Sequence, residues 1–453
     1  RNDSGLRAVR GTPRLEWSDT GRSDVKILQH RDVLSIVLAG GMGERLYPLT
    51  RDRAKPAVPF GGRYRIVDFV LNNFVNSGLM KIKVLTQFKS NSLIEHLVRA
   101  WRLNPEIGQF VDPVPAQMRR GPHWFRGTAD AVYQNLDLIF DEEPSQVCVF
   151  GGDHVYVMDV NPMLAFHEDG DHDLTIAAFP VPVAEATRFG VLSVDERARV
   201  TGFEEKPKVP REIPGVPGFA LASMGNYVFR PKVLREALEN DALQDTSHDF
   251  GRTIIPALLS GGASVFAYDF SLSRVPGDED LAPYWRDIGT VDSYWEASMD
   301  LISVAPPLNL YNAKWALKTL SPHLPPAKFV FADSASNRMG IATDSMVADG
   351  CILSGGTVHH LAFNTGTEEN QYALKARLEG MGYTDVSEQK DRNYFKSMYV
   401  RSPGGALFEI AWTVPEGWAK DEAPDAIGQS LVFPPWFEDR RAELMHGLEA
   451  AAF

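Results

Sequence analysis

The residues best suited to chemistry come early: Gly40, Gly41 and Gly43, then Arg45, then Lys55. They follow the apolar run 33–39, which reads as a buried parallel strand ending in a glycine turn. Glycines leave backbone N–H groups open to phosphate oxygens, the makings of an anion nest. Arg45 adds a planar charged fork and Lys55 a movable point charge. Leu46 stands where a dinucleotide fingerprint needs its third glycine, and no Gly-Lys-Ser/Thr follows as a Walker A loop requires. An ordinary glycine-rich strand-to-helix turn is the plainer alternative.

A second constellation is Gly151-Gly152-Asp153-His154, directly after the apolar run 146–150. A carboxylate at the carboxyl end of a parallel strand faces the crevice where open α/β sheets bind ligands. Asp153 is therefore a candidate Mg²⁺ ligand, with a helix-capping turn as its alternative. His154 reads as a hydrogen-bonding neighbour and not as a ligand. Asp287, inside Tyr284-Trp285-Arg286-Asp287-Ile288-Gly289-Thr290, offers a second carboxylate beside aromatics. Lys206 sits at a strand end between Glu205 and Pro207; a weak exposed ion pair is the competing explanation. The small residues Gly127 and Thr128, after Trp124, let a helix approach a base or sugar, unless this is a routine loop-to-helix junction.

These positions need a scaffold, and the chain supplies one. From about 31 to 302 strand-like and helix-like runs alternate, which argues an α/β domain with a mostly parallel sheet. Strands are expected at 82–86, 146–150, 174–179, 225–229 and 263–270, and helices at 68–78 and 90–101. The Pro/Gly-rich stretch 205–221 reads as a loop closing over the site, and the proline-interrupted stretch 303–332 as a linker. Glycines and short apolar pairs at near-hexad spacing over 340–357 suggest a turn of left-handed β-helix, and one or two coils need neighbours to bury their faces.

At 453 residues the chain has room for two or three domains. A net charge of −13 argues against general binding to nucleic acid or to an anionic membrane surface, and no apolar run is long enough to cross a bilayer. Residues 1–30 are polar and lack both periodicity and an apolar secretory segment, so they are expected to be a disordered tail. The only two cysteines, Cys148 and Cys351, read as reduced core thiols, which fits a cytoplasmic protein.

In order, these motifs resemble the glucose-1-phosphate adenylyltransferases. The matching blocks are 38–70, 115–136, Gly151-Gly-Asp-His154, Arg188-Phe-Gly-Val-Leu192, Phe203-Glu-Glu-Lys-Pro207, 222–229 and 284–290, spanning 33 to about 357. The resemblance implies a Rossmann-like nucleotidyltransferase domain that transfers the adenylyl group of ATP to glucose 1-phosphate for α-glucan synthesis. It implies that the Gly40–Gly43 loop holds ATP phosphates, with Arg45 and Lys55 on the pyrophosphate side. Gln117, Trp124, Gly127 and Thr128 would line adenine and ribose, and Asp153 and Asp287 would hold catalytic Mg²⁺. Gly190, Glu205, Lys206, Ser223 and Tyr227 would cradle glucose 1-phosphate. Family members are tetramers, so a homo-oligomer is expected.

The family's long β-helix stops here near Thr357, leaving 303–357 as linker and truncated coil. Residues 358–453 instead resemble half of a ring-cleaving dioxygenase of the glyoxalase (vicinal oxygen chelate) family, a βαβββ module. That resemblance implies a second divalent-metal site from His360, or His359, and Glu409. Two ligands are fewer than the two-histidine, one-carboxylate triad of oxygen chemistry, so dioxygenase activity is not expected. Alternatives to ADP-glucose synthesis are another nucleotide or sugar on the same fold, a catalytically impaired chimeric or regulatory chain, or a metal-dependent glyoxalase- or dioxygenase-type protein acting through its C-terminal part.

Overall fold

The computed structural model describes residues 32–321, 323–333, 338–343, 345–354, 361–401, 407–415, 417 and 435. The expected tail 1–30, His359, His360 and the segment after 417 other than Pro435 lie outside the described residues. The chain forms two compact units, Arg1–Leu324 and Pro325–Phe453.

The first unit opens with β1 (Val33–Ala39), the hairpin strands β2 (Pro59–Phe60) and β3 (Tyr64–Arg65), and helix α1 (Ile66–Asn76). There follow β4 (Lys81–Thr86), α2 (Asn91–Ala100), β5 (Phe110–Pro115), α3 (Thr128–Tyr133), α4 (Leu136–Phe140), β6 (Gln146–Gly151), β7 (His154–Tyr156) and α5 (Asn161–Asp169). The rest of the unit contains β8 (Leu174–Pro182), α6 (Val183–Ala186), β9 (Gly190–Val194), β10 (Val200–Glu205), β11 (Phe219–Phe229), α7 (Pro231–Ala242), α8 (Ile255–Ser260), β12 (Val265–Asp269), β13 (Trp285–Asp287) and α9 (Val291–Ile302).

Nine strands share one sheet along the path β10-β9-β11-β6-β1-β4-β5, with β8 on β11 and β12 on β8. β1 lies parallel to both β4 and β6, with Val37 opposite Val84 and Phe150. Its alternate residues feed two cores, Val33 and Val37 on one face and Leu34 and Ile36 on the other. Burial on both faces is why the strand reads as a continuous apolar run. The expected parallel sheet is β5-β4-β1-β6. Beyond β6 the sheet becomes mixed, because the 11-residue β11 runs antiparallel to β6, β8 and β9. That strand is twice as long as the run 225–229 suggested, since a bulge between Ser223 and Tyr227 interrupts its alternation.

The stretch 303–332 is not a free linker. Up to 321 it lies along the first unit: Leu308 and Trp315 are buried, Asn72 Nδ2 donates to the Lys318 carbonyl and Asn72 Oδ1 accepts from its N–H. Asp68, fully buried at the start of α1, accepts from Thr319 Oγ1 at 2.6 Å, Trp101 Nε1 at 2.9 Å and its own helix cap at Arg65 N. His96 Nε2 lies 2.7 Å from its Oδ1. A buried carboxylate is kept only when satisfied, and this one ties two helices to the arm.

In the second unit β14 (Lys328–Asp333) pairs antiparallel with β15 (Arg338–Met339) and parallel with β16 (Ile352–Ser354). Then come β17 (Leu361–Asn364), α10 (Glu368–Gly380), β18 (Lys390–Asp391), β19 (Phe395–Arg401) and β20 (Leu407–Thr413), a βαβββ order forming a sheet β17-β20-β19-β18. Gln371 of α10 is wholly buried and donates to the carbonyls of Lys396 and Ile410, which fastens helix to sheet. Cys148 is a buried free thiol in β6 whose pKa burial pushes up. Cys351 is not a core thiol: it is free and exposed just before the short β16.

Candidate active site

A cleft of about 840 Å³ opens along the carboxyl ends of β1 and β6 and is lined by Gly40, Gly41, Gly43, Arg45 and Lys55 from the first motif. Gly43 adopts φ +64, and a Cβ there would lie 2.9 Å from Lys55 Cβ and 3.2 Å from Thr50 Cγ2. Glycine is therefore needed twice over, for the left-handed backbone and for the close passage of the lysine stem. Lys55 begins a short 3₁₀ turn whose next residue is Pro56, and its side chain is buried under the loop.

Lys55 Nζ ends between two carboxylates, 2.9 Å from Asp153 Oδ2 and 3.0 Å from Asp287 Oδ1. Both acids are placed by strand ends. Gly152 N donates to the Leu38 carbonyl at 3.0 Å, and a Cβ on Gly152 would meet Val37 Cγ1 at 2.8 Å, so the chain leaving β6 stays tight against its parallel neighbour β1 and delivers Asp153 to the crevice. Asp287 pairs opposite His154 in the antiparallel β7–β13 ribbon. That ribbon is braced by Tyr284 Oη donating to Asp300 Oδ2 at 2.8 Å and by Arg286 Nη2 at 3.1 Å from the same oxygen.

Burial pushes the Asp153 carboxyl up, yet the charges of Lys55 and His154 and the hydrogen bonds it accepts outweigh that and hold it well below the ordinary carboxylate range. Burial pulls Lys55 down, but Asp153 and Asp287 raise its pKa above the ordinary lysine value. His154 Nε2 lies 3.6 Å from both Asp153 Oδ1 and Asp287 Oδ1. One ligand atom from each of Asp153, His154 and Asp287 falls within 4.8 Å of the others, the sole such cluster among the described residues. Two carboxylates beside an open cleft suit a hard divalent cation. His154, whose place after an aspartate carries no spacing signal for a ligand, thus stands with the two carboxylates in this cluster.

On the opposite wall, Gly190 lies against β10, where a Cβ would strike Phe203 Cζ at 2.3 Å. Lys206 has φ +51, donates its N–H to the Phe189 carbonyl and places Nζ 3.2 Å from Glu205 Oε1. A left-handed lysine is a strained conformation of the kind that collects at ligand clamps. Ser223 and Tyr227 flank the β11 bulge, where Gly225 has φ +71, and burial pushes the Tyr227 phenol up. Gly127 and Thr128 line the cleft at the start of α3.

Gln117 and Trp124 do not line it. Gln117 is exposed and accepts from Arg119, and Trp124 is exposed with its carbonyl facing Gln134. Gln87 and Phe125 form that wall instead, joined by Phe125 N donating to Gln87 Oε1 at 2.7 Å and Gln87 Nε2 donating to the Phe125 carbonyl. Asp249, Phe250 and Gly251 also line the cleft and carried no motif signal. In the second unit Glu409 is buried and accepts from Tyr399 Oη at 2.7 Å, whereas His360 lies outside the described residues.

A family model described as nucleotidyl transferase matches residues 34–304, and one described as GlmU-like, C-terminal hexapeptide matches 325–376. The second match carries the hexapeptide region, the repeat of left-handed β-helices, past Thr357 to within α10. The chain is 54% identical over 349 residues to the glucose-1-phosphate adenylyltransferase of Thermus thermophilus, covering 76% of this chain and 84% of that protein. It is 53% identical over 344 residues to the enzyme of that name from Anaeromyxobacter dehalogenans, covering 75% and 83%. With glucose-1-phosphate adenylyltransferase 1 of Vibrio vulnificus the figures are 53% over 327 residues, covering 72% and 80%. The two family models end at residues 304 and 376, and neither is of a glyoxalase type, so the comparisons do not support the glyoxalase-type half expected over 358–453. Matched along its catalytic unit by the family model and along three quarters of its length by these relatives, the chain belongs to the glucose-1-phosphate adenylyltransferase family of nucleotidyl transferases.

Proposed function

We propose that this enzyme transfers the adenylyl group of ATP to glucose 1-phosphate, giving ADP-glucose and pyrophosphate for α-glucan synthesis in the cytoplasm. The observation that carries the reading is Lys55 Nζ held between Asp153 and Asp287 beneath the Gly40–Gly43 loop. A phosphate oxygen of glucose 1-phosphate attacks the α-phosphorus of ATP in line. The new P–O bond forms as the bond to the β-phosphate breaks, and pyrophosphate leaves with the electron pair. No covalent enzyme intermediate is needed, so positioning and charge stabilisation do the catalysis.

The Gly40–Gly43 loop and Arg45 receive the nucleotide's phosphates, and Gly127, Thr128, Gln87 and Phe125 form the wall beside its base and ribose. Asp153 and Asp287 would hold Mg²⁺, with His154 beside them, and the ion would neutralise charge on the reacting phosphates. Lys55 counters the charge of the two carboxylates and helps hold the Asp153 carboxyl well below the ordinary carboxylate range. Gly190, Glu205, Ser223 and Tyr227 shape the sugar side, and Lys206 takes the sugar's phosphate. The enzyme acts as a homo-oligomer.

The test is pyrophosphate release from ATP and glucose 1-phosphate with Mg²⁺, beside parallel assays with UTP, GTP, CTP and dTTP. Robust turnover with ATP is expected. A folded chain that is silent with ATP but active with another triphosphate would replace the adenylyl assignment, and one silent with all would make it a catalytically impaired chain. For residues 358–453 we infer a glyoxalase-type half module in which His360, or His359, and Glu409 would form an incomplete divalent-metal site without oxygen chemistry; stoichiometric divalent-metal binding abolished by Glu409→Gln is its test.

A further inference from the structure

We propose that Asp241 and His248 form a buried positioning pair that holds the loop 246–251 as a brace between the nucleotide and sugar walls of the cleft. The inference rests on the adenylyltransferase reading and assigns a role to residues that touch neither substrate position. Asp241 lies in the last turn of α7, and its two oxygens are shared out: Oδ2 lies 2.8 Å from His248 Nδ1 and Oδ1 accepts from Thr246 Oγ1 at 2.7 Å. Thr246 Oγ1 in turn accepts from His248 N at 3.0 Å. His248 is 3% exposed and sits at φ +48, a region that a bulky side chain occupies only where its surroundings over-determine it. The Asp241 contact supplies that determination.

What this conformation achieves is visible at the next atoms of the chain. The His248 carbonyl turns onto the start of α3 and accepts from Ala129 N at 2.8 Å and Asp130 N at 3.3 Å. Asp249 Oδ2 accepts from Thr128 Oγ1 at 2.9 Å, and Phe250 N donates to the same hydroxyl at 3.1 Å. Gly127 passes so close that a Cβ there would lie 2.2 Å from the His248 carbonyl oxygen. At its other end the loop reaches the sugar wall: a Cβ on Gly251 would be 2.7 Å from Glu205 Oε2, and the Phe250 ring lies 5.6 Å from that of Tyr227. One strained loop thus touches Thr128 on one side and Glu205 and Tyr227 on the other, and Asp241 sets its geometry from behind.

The test compares the full-length chain with His248→Gly, Asp241→Ala and Asp241→Asn, measuring turnover with both substrates varied and the thermal midpoint of each variant. Glycine tolerates the left-handed backbone, so His248→Gly removes the side-chain pair without adding strain. Misplacement of a wall by ~1 Å can cost up to ~100-fold, so the KM for ATP and the KM for glucose 1-phosphate are both expected to rise about tenfold in His248→Gly and Asp241→Ala. Asp241→Asn keeps an acceptor for the ring and is expected to stay within about threefold of the parent. Unchanged KM values alongside a lowered midpoint would make the pair merely structural and overturn the proposal. A rise in only one KM would overturn the bridging role. If His248→Gly does not fold, Asp241→Ala decides by the same criteria. A parent chain without turnover would sink the adenylyltransferase reading itself, a failure distinct from an active parent whose variants are unaltered.

Discussion

Charge balance at Lys55, Asp153 and Asp287 governs what each residue can do. One buried ammonium faces two carboxylates at 2.9 and 3.0 Å, so removing Lys55 would leave like charges facing each other in a partly dry cleft. Asp153→Asn keeps the shape but removes the charge that suits a cation. Its turnover number is expected to fall ~100- to 1,000-fold in a pyrophosphate-release assay, with the fold intact by circular dichroism. Lys206 differs, because its side chain is half exposed and its partner is a single glutamate. Lys206→Ala is expected to raise the KM for glucose 1-phosphate ~10- to 100-fold with a smaller change in kcat. An unaltered KM would remove Lys206 from the sugar-phosphate site.

Elements meet in this protein where glycine lets backbones touch. Gly127 has an extended φ of −161 that any residue could adopt, so its requirement is one of space alone. Gly127→Ala would drive a methyl group into the carbonyls of Ser247 and His248, which are main-chain atoms and cannot rotate away. We expect a loss of about 1–3 kcal/mol in stability, seen as a lower midpoint in chemical denaturation, and a raised KM for ATP. A neutral substitution would mean that the start of α3 can slide off the loop. Asp68 does comparable work for the 303–321 arm, because His96, Trp101 and Thr319 all depend on one buried carboxylate.

At the scale of the molecule, a histidine pair away from the cleft contributes to the dependence of stability on acid. His167 and His172 are buried beside Thr175 Oγ1, at 2.9 and 3.3 Å, and His172 stacks on Phe266 with centroids 4.0 Å apart. Burial, followed by His172 and Arg230, pulls His167 down to about 3; burial and Arg230 pull His172 down to about 4. Both folded-state values lie below the unfolded value of 6.5, so the unfolded chain binds more protons. The stability these groups contribute is complete above about pH 6.5 and is lost as pH falls toward about 4 and then about 3, on the order of a few kcal/mol in all. A His167→Asn, His172→Phe double variant is expected to flatten the fall of the thermal midpoint between pH 6.5 and pH 4. An unchanged slope would assign acid sensitivity to other groups.

Much of this arrangement was legible in the residues. The continuous apolar run 33–39, the glycines after it and the Gly-Gly-Asp after 146–150 announce strand ends that carry a glycine loop and a carboxylate, the end of an open α/β sheet at which ligands bind. The end expected for the β-helix near Thr357 was not legible there, because the hexapeptide family model runs on to residue 376. The sequence could not show that Lys55 and Asp287, 232 positions apart, share one hydrogen-bonded site, since the parallel pairing of β1 with β6 and the β7–β13 ribbon bring them together. It also could not show that Gln87 and Phe125 line the cleft in place of Gln117 and Trp124, or that 303–321 lies pinned to the first unit. Residue types and their spacing report what a segment can do with its nearest neighbours. Which distant segments become neighbours is decided by close packing, and here by the glycines that let backbones pass at contact distance.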